Sequence, residues 1–399
     1  SMLGEWFNSI ALFVMIEHLT NSALAIGGIV ILRMFALALP QLFTGVLADR
    51  YSRKWLMVFA NAASAFLVLA LFLVDSVSDV WIIYAVAGGL MVFHAVFIPA
   101  ENAALPNIVE ENQLLTANAL NSATWSASLA IGAALGGFAV AEWGVEVAFV
   151  IDSLTFAIAA IIIATLPIPQ EKREKSDKSF FKTGLNDVSE GWKIIRSRPE
   201  VSRIITAKAL WSCFGGGLVY MLIMLGAEGE FGEVAAGIGI LFAARGIGTG
   251  IGPVLARYVF TEKSLWPYLL GILVSTCGVG YLFIGLFEWG TWITIVIVIS
   301  HAASGANWVL STVLLQERSE DEWRGRMFAT DFLLMTTVNG FSTMAASLIL
   351  EYTEIGLRNT LIAFSILQIV SGIVWLLLTS PGEKKFASMQ ISDGRGAIG

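Results

Sequence analysis

The sequence predicts an all-α integral membrane protein: twelve transmembrane helices in two pseudo-symmetric six-helix bundles. Three observations carry the prediction. Of 399 residues, 56% are apolar and 14% charged, whereas about a quarter of a soluble domain is charged. Apolar runs of about 20 residues recur from end to end, each long enough to cross a hydrocarbon core about 30 Å thick as a helix. These runs are continuous and lack the dyad alternation of a membrane barrel. Finally, one long polar link, residues 167–200, has six runs before it and six after.

The first run, 3–19, opens as "SMLGEWFNSIALFVMIEHLT". It has neither the basic region nor the cleavage site of a signal peptide, and reads as a span with a trimmed start. Spans at 22–48, 54–74, 80–101, 116–140 and 146–166 complete the first half. The second half holds spans at 201–225, 233–257, 265–286, 290–315, 323–350 and 355–379. The organisation that follows is an N-terminal bundle over 1–166, a cytoplasmic linker over 167–200, a C-terminal bundle over 201–380 and a cytoplasmic tail over 381–399. Within the linker, Leu185, Val188, Trp192 and Ile195 fall at helical spacing beside Lys193, Arg196 and Arg198. That pattern is an amphipathic helix, lying on an anionic leaflet or serving as a solvated connector.

Orientation follows from lysine and arginine. The links after even-numbered spans hold Arg50, Arg53, Lys54, the basic cluster from Lys172 to Arg203, Arg257, Lys263, Arg318, Arg324 and Arg326, against Arg358 alone on the other side. By the positive-inside rule both termini are cytoplasmic. The opposite links are acidic, which accounts for the net charge of −7 as a matter of topology. Cys213 and Cys277 both fall in spans, so no disulfide framework is expected.

The halves echo each other. "ALPNIVEENQLLTANAL" (104–120) and "LLQERSEDEWRGRMFAT" (314–330) follow the fourth span of each half, and Arg33 and Arg245 sit at comparable depth in the second spans. This is the weak internal symmetry of a duplicated transporter.

Between spans two and three lies "GVLADRYSRKWLM". Gly45, Leu47, Ala48, Asp49, Arg50, Arg53 and Lys54 resemble the signature of the major facilitator superfamily, with Ser52 where glycine is usual and Met57 where leucine is usual. The chain further resembles the family's exporters of the enterobactin and macrolide efflux type. "LTNSALAIGGIVILRMFALALPQLFTGVLADRYSRK", "ALPNIVEENQLLTANAL", "AFVIDSLTFAIAA" and "EWRGRMFA" agree with them in order. The resemblance implies the major facilitator fold and a secondary active transporter. It also implies an inner gate at Gly45, Asp49, Arg50, Arg53 and Lys54, in which Gly45 permits close helix approach and the arginines bridge to carboxylates or helix C-termini. Service as positive-inside anchors is the simpler reading of the same arginines. Two features depart from proton-coupled drug antiporters: Ala133 stands in "IGAALGG" where proline is usual, and span four lacks their arginine.

Polar side chains inside spans are costly, so they normally face the bundle interior or a wet cavity. The candidates for the substrate cavity are Asn8, Arg33, His94, Asn121, Trp125, Lys208, Arg245, His301, Trp308 and Asn339. Trp125 and Trp308 lie on the polar stripes of spans five and ten, and Trp375 is expected to face lipid. Glu5, Asp152 and Asp331 are the carboxylates placed to carry protons, with Arg33 a possible partner for Asp331. For each residue singly, an interhelical hydrogen bond or ion pair is the alternative. The glycines of "GIGTGIGP" and of span five (Gly132, Gly136) have the spacing of close helix packing, and spans five and eight are expected to touch through them.

Other chemistries find no residues. There is no phosphate loop, dinucleotide fingerprint, metal-ligand cluster or nucleophile elbow, and the histidines are His18, His94 and His301. The chain reads as no enzyme, with no cofactor or metal and no nucleic-acid partner. The resemblance implies proton-coupled export of an amphipathic small molecule, a drug or siderophore, and the expectation is a monomer alternating in access in a bacterial inner membrane. A lipid or lysolipid flippase on the same fold, or a non-transporting sensor or scaffold, remains as the alternative.

Overall fold

The structure is a computed structural model, and it describes residues 2–110, 113–169, 180–228 and 230–392. Its helices follow the apolar runs. They are α1 (Met2–Thr20), α2 (Ala23–Arg50), α3 (Arg53–Val68), α4 (Val80–Ile108), α5 (Leu114–Trp143), α6 (Val145–Thr165), α7 (Phe180–Ser197), α8 (Pro199–Ala227), α9 (Val234–Val259), α10 (Trp266–Leu286), α11 (Ile293–Glu317), α12 (Asp321–Tyr352) and α13 (Gly356–Ser392). Among the described residues, eleven helical stretches are long and apolar enough to cross a membrane. α1 is not among them, because its 19 residues include Glu5, Asn8, Glu17 and His18. α13 runs past the expected end of the last span at 379, carrying Pro381 inside the helix.

Local chemistry sets the boundaries. Ser22 and Ser52 are the N-caps of α2 and α3, accepting from the backbone N–H of Ala25 and Trp55. The serine that replaces the expected glycine of the signature thus starts a helix. Asn21 turns the chain between α1 and α2 at φ 47°, a left-handed conformation that asparagine tolerates. Gly144 does the same between α5 and α6 at φ 84°.

Large apolar side chains stand exposed along the helices, among them Phe59, Phe66, Leu73, Ile161, Leu377 and Leu378. So much apolar surface belongs against lipid. Trp81 and Trp143, near helix ends, are exposed in the manner of interfacial anchors.

The chain divides into two compact units. One comprises Ser1–Asn186, Tyr220–Gly246 and Thr343–Glu354; the other comprises Asp187–Val219, Ile247–Ser342 and Ile355–Gly399. In the first unit α1 packs on α5 and α6, and α3 on α4 and α6. Ile10, Leu12, Ile16, Leu129 and Phe149 are fully buried there. Glycines let backbones close up. A Cβ on Gly136 would stand 3.0 Å from Phe7 Cα, and one on Gly137 2.6 Å from the Ala235 carbonyl oxygen. The expected touch between spans five and eight is therefore made, through Gly137, Gly239 and Gly246, whereas Gly132 and Gly136 serve α1.

In the second unit α10 packs between α11 and α13. The linker helix α7 joins this unit through its apolar face. Ile195 is buried in one cluster with Trp323 and Met327 of α12. Gly191 lies so close to α12 that a Cβ would meet the Arg326 carbonyl oxygen at 2.6 Å. Glu190 pairs with Arg326, and Arg198 pairs with Glu320 at 3.4 Å. Of the apolar face expected to lie on lipid, Ile195 is thus spent on protein, while Val188 and Trp192 are half-buried; the Leu185 side chain lies outside the described residues.

Candidate functional site

Each unit brings some of the intramembrane polar residues together. In the first, α1 presents Glu5 and Asn8 one turn apart, so both lie on one face. Arg33 of α2 reaches Glu5 with Nη2 3.1 Å from Oε1. His94 of α4 approaches from another side, its Nδ1 3.6 Å from Oε2, too far for a hydrogen bond. Asp152 of α6 is fully buried, beside Asn8 and within electrostatic range of Glu5 and Arg33. It reaches this place because Gly4 lacks a side chain: a Cβ there would stand 2.6 Å from Asp152 Oδ1. A cavity opens beside the cluster, with Glu5 and His94 in its wall next to Asn61, Phe93, Phe97 and Phe156.

The second unit holds a separate constellation. Lys208 of α8 and Asp331 of α12 form a buried ion pair, with 4% and 3% of their side chains exposed. The Lys208 ammonium also lies 4.7 Å from the centre of the Trp308 ring on α11. Burial at this level is tolerable because the charges are paired and the cation meets an aromatic face. Trp308 keeps 44% of its surface exposed, so it is a face as well as a packing element. His301, two turns earlier on α11, shares a 2.8 Å hydrogen bond with the Tyr281 hydroxyl of α10. Asn339 packs tightly on α8, where a Cβ on Gly216 would meet its side chain at 2.7 Å.

The remaining expected residues are dispersed. Arg245 lies over the Phe242 ring at 5.6 Å, and that ring packs on Trp6 at 5.8 Å. Trp125 is 45% exposed and Asn121 half-buried on α5. Arg53 is buried and donates to the Ala103 carbonyl oxygen of α4 at 2.6 Å, while Lys54 lies 5.9 Å over Trp55. The side chains of Gly45, Asp49, Arg50 and Asn118 lie outside the described residues.

Two expectations are corrected. Arg33 pairs with Glu5, and Asp331 takes Lys208 in its place. Trp375 does not face lipid: it is 3% exposed, and its indole N–H donates to the Arg203 carbonyl oxygen at 3.1 Å. An indole N–H finds no acceptor in hydrocarbon, which favours the buried side.

Sequence reasoning also missed two groups. Glu383 is buried between Arg203, 2.6 Å away, and Arg318, 2.7 Å away. It lies beyond the expected last span, so nothing marked it as an internal residue. In the first unit, Glu351 near the end of α12 accepts from the Ser22 hydroxyl at 3.0 Å and the Leu24 N–H at 3.1 Å. The Tyr220 hydroxyl of α8 donates to the Ala23 carbonyl oxygen at 2.5 Å, so the first turn of α2 is tied to two other helices. Neither the cap at Ser22 nor its long-range acid was read from the sequence.

The fold is that of a helical membrane protein, and known proteins share it. A bacterial homologue of the human lysosomal transporter Spinster, solved in an inward-facing and unoccupied conformation, superposes with a TM-score of 0.71 at 16% identity, covering 94% of each chain. Macrolide efflux protein A of Streptococcus pyogenes is 22% identical over 386 residues, 94% of this chain and 92% of that one. The enterobactin exporter EntS of Salmonella typhimurium is 27% identical over 331 residues, 80% of this chain and 75% of that one. The MFS-type transporter YfiS of Bacillus subtilis is 26% identical over 204 residues, and the match spans only 50% of this chain and 47% of that one. The family model "Major Facilitator Superfamily" matches residues 1–341, so the chain belongs to that superfamily.

Proposed function

We propose that the protein is a proton-coupled exporter of an amphipathic small molecule, working by alternating access between bundles at 1–166 and 201–380. The observation that carries this reading is the placement of ionisable side chains inside the spans. Glu5, Arg33, His94 and Asp152 converge in the first unit, and Lys208, Asp331 and Trp308 in the second. A static bundle gains little from buried charge, since well-packed apolar residues serve as well or better. Transport needs groups that change partner or protonation state, and intramembrane ionisable residues mark such pathways. Outward movement is supported by the exporters at 22% and 27% identity, one named for macrolides and one for enterobactin. The same bacterial relatives and the lysine and arginine asymmetry support a bacterial inner membrane with cytoplasmic termini.

In this mechanism Glu5 and Asp152 exchange protons. Asp331, held by Lys208, keeps its charge. Asn8, Arg33, His94, Asn121, Trp125, Lys208, Arg245, His301, Trp308 and Asn339 line the substrate path. Gly45, Asp49, Arg50, Arg53 and Lys54 form the inner gate. The protein acts as a monomer.

The test is efflux of fluorescent amphipaths from reconstituted vesicles under an imposed pH gradient. Glu5→Gln and Asp152→Asn should abolish uphill movement while leaving exchange down a substrate gradient. Uphill efflux that survives both changes, and Asp331→Asn as well, would remove these carboxylates from coupling. If no amphipath moves in any direction, the exporter reading itself fails.

A further inference from the structure

Gly215, Gly216 and Gly217 stand in succession on α8 of the second unit, and they are not alike. A Cβ on Gly216 would meet Asn339 at 2.7 Å, and one on Gly217 would meet Phe364 at 2.5 Å, so close packing requires both glycines. It does not require Gly215. A Cβ there would have Gln368 Oε1 of α13 and Trp211 Cε2 as its nearest neighbours, each at an ordinary contact distance of 3.8 Å. The space over this buried glycine therefore admits one more atom of methyl or water size. Its walls decide which. Gln368 is fully buried; its Nε2 turns to the Val274 carbonyl oxygen of α10 at 3.5 Å, and Oε1, on the Gly215 side, has no partner among the described residues. Cε2 of Trp211 carries Nε1, a buried indole N–H that is likewise without a partner among the described residues. Three residues before Gly215, on the same side of α8, the fully buried Ser212 hydroxyl is a third such group. An apolar void of this size stays dry, whereas one with two to four polar partners holds water. Here an acceptor, a donor and a hydroxyl able to act as either gather at one place. Each is costly if unanswered, and hydrocarbon outside the bundle offers no substitute.

We propose that a single structural water occupies the space over Gly215, accepting from the Trp211 indole N–H, donating to Gln368 Oε1 and completing its bonds at the Ser212 hydroxyl. The water joins α8 to α13, as the Lys208–Asp331 pair joins α8 to α12 one turn earlier on α8. The glycine is then explained by what it holds, since any side chain at 215 takes the place of the water. This site goes beyond the exporter reading and does not depend on it.

The test is the melting of Gly215→Ala in the purified full chain, because the sign of the change decides. In a dry space the methyl fits, and the helix preference of alanine over glycine should raise Tm by roughly 1–4 °C. A methyl that expels the water leaves the indole N–H and the amide oxygen unanswered, and Tm should fall by at least about 2 °C. The proposal expects the fall. Gly215→Ser, whose hydroxyl stands in for the water, should recover at least half of it. In a Gln368→Met background one partner is already gone, and the alanine should cost at most half as much. A density map of the parent that resolves ordered water should show one within about 2.7–3.2 Å of Trp211 Nε1 and Gln368 Oε1. A raised or unchanged Tm for Gly215→Ala, a serine no better than the alanine, a fall that persists in full beside Gln368→Met, or a map with no water there would overturn the proposal.

Discussion

The Lys208–Asp331 pair offers a sharp quantitative test, since both groups are almost completely buried and the lysine also meets Trp308. Removing one partner leaves the other charged and unanswered, which costs about 3–5 kcal/mol. Asp331→Leu should fall in that range. Lys208→Met should match it, with about 1–2 kcal/mol more from the lost contact between cation and ring. The double variant removes both charges, keeps apolar volume on both helices and should be nearly neutral. The pair is thus expected to show a coupling energy of at least about 3 kcal/mol, at the upper end for residues in contact. For units of 150–250 residues 1 kcal/mol moves Tm by roughly 2–4 °C. Asp331→Leu should then lower it by roughly 6–20 °C and Lys208→Met by roughly 8–28 °C, and the double variant should stay within about 4 °C of the parent. The assay is tryptophan-fluorescence melting in detergent at one fixed scan rate, because irreversible unfolding makes Tm rate-dependent. A double variant that loses the sum of the two single losses would refute the reasoning.

Four further outcomes follow from named contacts. Glu383→Gln leaves the guanidinium groups of Arg203 and Arg318 facing each other and should cost about 3–5 kcal/mol, read as a lowered Tm. Gly137→Ala forces a Cβ to within 2.6 Å of a backbone carbonyl oxygen and should cost about 1–3 kcal/mol, whereas Gly325→Ala meets nothing within 4 Å and should be silent in the same melt. Glu351→Gln removes the charge at the first turn of α2, worth about 0.3–1 kcal/mol; Tm should barely move, yet a cysteine at Ser347, packed against Gly27, should react faster with a water-soluble maleimide. Trp308→Ala should shift selectivity among transported dyes with a modest change in Tm, while Trp375→Ala should do the reverse, because one ring is half exposed and the other is buried with its N–H bonded.

The spans were legible because lipid is a demanding solvent: a helix in hydrocarbon must be about 20 residues long and apolar along most of it. The capping roles of Ser22 and Ser52 went unread, although each is a local feature in which the acceptor and the N–H it satisfies lie within one turn. Rotation of each helix about its axis was not legible either. One residue turns the face by 100°, so span boundaries soft by several residues leave it undetermined. That is why Arg33, with carboxylates on more than one other span, was assigned to Asp331 and not to Glu5. It is also why Trp375 was placed in lipid, since a helix apolar all round carries no marked face. Glu383 shows another limit. Its role depends on Arg203 and Arg318, 180 and 65 residues away in the chain, and no local pattern encodes such a meeting.

The two clusters differ in a way that bears on mechanism. In the second unit one ammonium meets one carboxylate and the pair is complete. A proton arriving there must first break a buried ion pair, at a cost comparable to the stability the pair confers. In the first unit the guanidinium of Arg33 already holds Glu5, and Asp152 stands within range of both without a cation of its own among the described residues. A proton entering here answers an existing imbalance and breaks no pair. Under the proposed coupling, uptake and release therefore fall to the first unit, and the Lys208–Asp331 pair holds α8 to α12. The two roles separate by experiment: Asp152→Asn should remove uphill transport with little loss of Tm, and Asp331→Leu should lower Tm steeply. If both variants melt like the parent, or if Asp331→Leu alone abolishes coupling at unchanged Tm, the assignment of roles is reversed.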